Sequence, residues 1–126
     1  MKYTLLSLGV LALCLAFSLF SMGTVTSVCD RTAERLSASL DAVRRASPAE
    51  ADAAIRQAER IWAAKQPFLG TVLRHEEMDA VMTGIAELHA YLETDDLDDY
   101  QATCARLLAA LRHLKDMEKP TAENIL

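Results

Sequence analysis

From Tyr3 to Cys29 the chain carries no charged side chain, and beyond Cys29 charge and apolar residues alternate at helical spacing to the end. The front of that uncharged run holds Leu5, Leu6, Leu8, Val10, Leu11, Leu13, Leu15, Phe17, Leu19 and Phe20. Between Tyr3 and Met22 its polar residues are Ser and Thr, whose hydroxyls can bond back to their own helix, and Tyr3 itself at the edge. Twenty residues at ~1.5 Å each span ~30 Å, the thickness of a hydrocarbon core. The pattern therefore predicts a membrane-spanning helix in residues 1–29, followed by a helical body over 30–118 and a short tail over 119–126.

The body reads as four helices. Ala33, Leu36, Leu40 and Val43 form a seam in a first helix from about Asp30 to Ala46, which can continue the membrane helix because only Gly23 interrupts. Ser47-Pro48-Ala49-Glu50 reads as a helix start, with Ser47 as cap, Pro48 in the first turn and Glu50 bonding back to the cap. The second helix, Pro48 to about Gln66, turns Ala51, Ala54, Ile55, Ala58 and the single Trp62 inward, and Pro67 with Gly70 predicts its break. A third helix is expected from Thr71 to Glu93, with Met78, Val81, Met82, Ile85, Leu88 and Leu92 inward. Thr94-Asp95-Asp96 reads as turn and cap. A fourth helix from Asp96 to Glu118 turns Leu97, Tyr100, Cys104, Leu107, Leu108, Leu111 and Leu114 inward, before Pro120. No stretch alternates with period two. Short links between four amphipathic helices predict an all-α, up-and-down antiparallel bundle. Its two hairpins share one plan: a seam helix, a capped turn, then a second helix.

The length of 126 residues allows one small domain. The net charge of −5 argues against a nucleic-acid partner, which needs a basic face. The front segment also fits a secretory signal, with cleavage candidates at Ser21-Met22-Gly23 and Val25-Thr26-Ser27, but its apolar block exceeds the usual h-region and favours retention. Arg31 and Arg35 outnumber Lys2, which alone would place the body in the cytoplasm. Asp30 and Glu34 offset them, and a short basic lead fits export, so the expected topology is single-pass with an extracytoplasmic body.

Three cysteines occur. Cys14 falls in lipid. Cys29 and Cys104 sit at different heights in a bundle, too far apart for a disulfide. Cys104 is expected as a buried thiol and Cys29 as the more exposed one, able to link two chains. His75 and Asp79 are four apart on one helical face, and His89 falls about 40° from His75. Two His and a carboxylate are the ligand set of a divalent-metal or small-ligand site. The competing reading is a surface His–Asp pair beside helix-capping acids. His113 lies on a solvated face, and Asp95–Asp99 read as capping acids. No Gly-rich phosphate loop, Ser/His/Asp spacing or Cys-x-x-Cys occurs, so neither enzyme activity nor a cofactor is expected.

His75-Glu76-Glu77-Met78-Asp79, the upstream Trp62, the run Ala86-Glu87-Leu88-His89-Ala90-Tyr91-Leu92 and the closing Glu123-Asn124-Ile125-Leu126 together resemble the bacterial family labelled domain of unknown function 4363. The resemblance covers the whole chain. It implies a membrane-associated protein of spore-forming or related Gram-positive bacteria, without established activity, and marks His75, Glu76 and Asp79 as a motif. The expected role is a non-enzymatic accessory module binding another envelope protein, with homo-oligomerisation along an exposed seam as a further expectation. Ile125 and Leu126 are expected to dock on the bundle base or touch lipid.

Overall fold

The computed structural model describes residues 1–118, so the expectations for Pro120, Ile125 and Leu126 lie outside the described residues. Four helices follow one another: α1 (Lys2–Arg44), α2 (Pro48–Val72), α3 (His75–Glu93) and α4 (Leu97–Glu118). Each packs on two neighbours, α1 on α2 and α4, and α3 on α2 and α4, which is the square of an up-and-down bundle.

Charge patterning could not show where the bundle begins. α1 is one unbroken helix, and its core stripe starts before Asp30, with Ser21, Val25, Val28 and Cys29 buried ahead of Thr32, Leu36, Ser39 and Val43. The structure draws no seam at residue 29. Cys29 is 1% exposed, contrary to its expected exposure, so a link between two chains through it would require opening the core. Ala33 and Leu40, expected inward, are half-buried, because Thr32 and Ser39 take the innermost positions beside Leu36 and Val43. The inward face of α2 is as expected, with Ala51, Ala54, Ile55, Ala58 and Trp62 buried. On α4 Tyr100, Cys104, Leu107, Leu111 and Leu114 are buried, while Leu97 and Leu108, also expected inward, are half-buried.

Pro67 does not end α2. The helix runs through it to Val72 and closes at Leu73, which is extended at φ −108° and ψ 156°. A proline removes one backbone donor and crowds the carbonyl four residues back. Pro67 is exposed, so water can reach that carbonyl, while Leu69 and Leu73 beyond it are buried and hold the last turn down. α3 consequently starts at His75 rather than Thr71.

Both hairpin tips have the same geometry. Ala46 N–H donates to Val43 O (3.0 Å) and Ser47 N–H to Ala42 O (2.8 Å); Asp95 N–H donates to Leu92 O (3.4 Å) and Asp96 N–H to Tyr91 O (2.9 Å). These are two Schellman closures, with Ala46 and Asp95 each at φ 57°. The bond to Ala42 O also explains why the expected capping box is absent. Glu50 has no N–H of Ser47 left to accept from, and pairs with Arg45 Nη2 at 3.1 Å. The Ser47 hydroxyl makes no cap bond, although Pro48 does open α2. Asp96 does cap α4, accepting from Asp99 N–H at 3.3 Å. An alanine in the left-handed region costs about 1 kcal/mol that glycine avoids. Ala46→Gly is therefore expected to raise stability by about 1 kcal/mol, read as a higher urea midpoint at unchanged slope.

From the two tips the hairpins run in register. The buried positions 29, 32, 36 and 39 of α1 match 78, 81, 85 and 88 of α3, and 51, 54, 55, 58 and 62 of α2 match 100, 103, 104, 107 and 111 of α4. Matched positions differ in size: Ala51 against Tyr100, Ala58 against Leu107, Ser39 against Leu88, Trp62 against Leu111. Unequal volumes at equivalent places fill the shared core while keeping the hairpins distinct. Gly84 belongs to this fit, since a Cβ there would lie 2.8 Å from Leu107 Cγ.

Candidate functional site

The polar groups singled out by spacing are dispersed. His75 Nε2 lies 3.5 Å from Asp79 Oδ2, with both side chains well exposed. Glu76 and Glu77 occupy the first turn of α3, where negative charge favours the helix N-terminus. His89 is elsewhere. Fourteen residues along a straight helix are ~21 Å, far beyond the ~2 Å metal–ligand bonds that would have to join it to His75. It sits between two carboxylates of α2, with Nε2 3.1 Å from Glu59 Oε2 and Nδ1 3.7 Å from Asp52 Oδ1. Asp52 also accepts from Arg56 Nε at 2.8 Å. The structure thus unites His75 with Asp79 but not with His89. Among the described residues no group of three His, Cys, Asp or Glu is placed to hold a metal ion. The α2 stripe Asp52, Arg56, Glu59 has i, i+4, i+7 spacing, which could have revealed the face that His89 meets.

Inside the bundle, the Leu36 carbonyl accepts from Ser39 Oγ (2.7 Å) and from Cys104 Sγ (3.4 Å). Burial pushes the Cys104 thiol from 9.0 up to about 11 and the Tyr100 hydroxyl from 10.0 up to about 12. Both are neutral at physiological pH, which makes Cys104 a poor nucleophile. An acid whose pKa is raised by folding contributes stability below its unfolded pKa and loses it as pH rises toward the folded value. Stability should therefore hold to about pH 9 and fall between pH 9 and pH 12. Cys104→Ala should remove on the order of 2 kcal/mol of that fall, read from urea midpoints across the pH series.

The most distinctive region is the end where α1 leaves the bundle. Leu5 to Phe20 stand exposed, each large apolar side chain more than half accessible. An 18-residue window of α1 has mean hydropathy 2.3 and is 6% buried, so this helix is long and apolar enough to span a membrane. The bundle closes on α1 directly after it. Phe20 meets Phe68 of α2 edge-to-face, centroids 6.1 Å apart, and Lys115 Nζ of α4 donates to Asp30 Oδ1 at 2.9 Å. The carboxylate of Asp30 raises the Lys115 pKa.

Residues 19–125 match the family described as Domain of unknown function (DUF4363). Among curated proteins and among solved structures no match is found.

Proposed function

The chain belongs to the DUF4363 family, and on that footing we propose that it is a membrane-anchored accessory module whose helical body binds another protein of the cell envelope. One observation carries the reading: the exposed apolar stretch of α1 passes without a hinge into the core stripe of the bundle. A continuous helix holds the body at a fixed height and orientation above the bilayer, as a presenting module requires. The far end offers a concavity of about 210 Å³ between the two hairpin tips, with Val43, Leu92 and Leu97 as apolar walls. That volume suits one or two apolar side chains of a partner.

Topology and partner are tested together. Ser37 is exposed and can be replaced by cysteine, while Cys29 and Cys104 are buried and Cys14 faces the bilayer. In intact cells, a membrane-impermeant maleimide should label Ser37→Cys and leave the parent chain unlabelled. Labelling only after lysis would place the body in the cytoplasm. A photo-crosslinker at position 47, beside the tip concavity, should give one discrete adduct that is absent with the crosslinker at position 37. Extraction of the chain by alkaline carbonate would end the anchored reading.

A further inference from the structure

We propose that the concavity between the two hairpin tips binds a partner segment in which one or two large apolar side chains are flanked by lysine or arginine. The inference rests on the partner-binding reading above and gives that partner its chemistry. Val43 is the buried floor of the concavity, Leu92 and Leu97 are half-buried walls, and Asp95 joins the lining. The volume of about 210 Å³ takes the apolar side chains. The surrounding charge selects what stands on either side of them.

The tips comprise residues 41–50 and 93–99. They hold seven of the 18 acids and two of the 13 Lys and Arg, so they carry a net −5, equal to that of the whole chain. α1 and α3 end there while α2 and α4 begin there, so the helix dipoles offset one another and side chains set the field. Part of this charge serves the helices: Asp96 caps α4, and Asp98 and Asp99 lie in its first turn. Glu93 and Asp95 do not. Glu93 is the last residue of α3 and Asp95 follows its cap Thr94, where negative charge meets the negative end of the dipole. No basic residue occupies the last turn of α3, and neither carboxylate is in an ion pair among the described residues. These two acids work against the helix they close, and a cationic segment lying across the concavity offsets that cost. The same charge disfavours other occupants. A second copy would set one acidic tip against another. The apolar stretch of α1 is at the opposite end, with Phe20 and Arg44 separated by 24 residues of one helix, ~36 Å.

The test pans the full chain, in detergent micelles, against a random dodecapeptide display library and titrates the selected peptides by fluorescence anisotropy. They should share one or two large apolar residues with lysine or arginine on both sides, and bind more weakly as salt is raised. An exposed ion pair contributes about two-fold, so Glu93→Gln with Asp95→Asn should weaken binding roughly four-fold while raising the thermal midpoint. Glu76→Gln with Glu77→Gln removes equal charge from the other end of α3. It should leave binding unchanged and lower the midpoint, because acids favour a helix N-terminus. Leu97→Ala removes one apolar wall and should weaken binding several-fold without a change of charge. Selected peptides lacking basic residues, equal weakening by the two charge variants, full binding by Leu97→Ala, a lowered midpoint for Glu93→Gln with Asp95→Asn, or displacement of the peptide by micromolar calcium would each overturn the proposal. An adduct from the crosslinker at position 47, together with any of these results, leaves the partner reading standing. Absence of both adduct and bound peptide overturns that reading as well.

Discussion

A chain shortened to begin at Ser21 is expected to fold as the full bundle, whereas one beginning at Asp30 should lose about 5 kcal/mol or more. Residues before Ser21 are exposed and contribute little to the core beyond the Phe20–Phe68 contact. Residues 21–29 are different. Val25 is fully buried, and Val28 and Cys29 are 1% exposed. Burying a valine contributes about 1.5–3 kcal/mol, and two valines with a cysteine approach the whole stability of a small domain, about 5–15 kcal/mol. Their removal also strips one wall from a core that includes Leu69, Leu73, Met78 and Leu114. Urea unfolding followed by circular dichroism checks this. The shorter chain should show a lowered midpoint and a smaller slope, because less surface remains to be exposed. Equal midpoints would mean that α1 is held to the bundle only beyond Asp30.

That prediction marks where sequence reading ended. The four helices, the inward face of α2 and most of that of α4 were legible, because apolar residues there recur against a charged background. The border between anchor and bundle was not, because residues 21–29 carry Ser, Thr, Gly and small apolar side chains with no charge to set the register. Cys29 was misplaced for that reason. The break expected at Pro67 was a local rule overridden by burial of Leu69 and Leu73 beyond it. His89 is apart from His75 and Asp79 for a reason the spacing already contained: the two histidines share an angle around α3, but fourteen residues at ~1.5 Å each separate them along it. The left-handed turn at Ala46 had no signal, since glycine or asparagine ordinarily announces that conformation. Asp96 as a cap was legible because its side chain acts within one turn of its own position.

Trp62 is the residue whose loss should cost most among single substitutions. It is the one tryptophan in the chain, fully buried, and the largest side chain in the core. On the preceding turns of its face α2 carries Ala54 and Ala58, which are too small to reach into the space it leaves. Trp62→Ala should destabilise by about 3–5 kcal/mol. Its indole Nε1 is buried without a hydrogen-bond partner in the chain, and an orphaned donor of this kind costs about 1–3 kcal/mol. Trp62→Phe removes that donor together with part of the volume, so the two effects oppose each other. The phenylalanine variant is therefore expected to lose about 2 kcal/mol or less, much less than the alanine variant. The parent chain supplies its own probe: emission from a dry indole is blue-shifted and resists quenching by acrylamide, and both properties should vanish in the same urea range as the helical signal. A phenylalanine variant as unstable as the alanine one would show that the ring's size, and not its unpaired N–H, decides the energetics at this position.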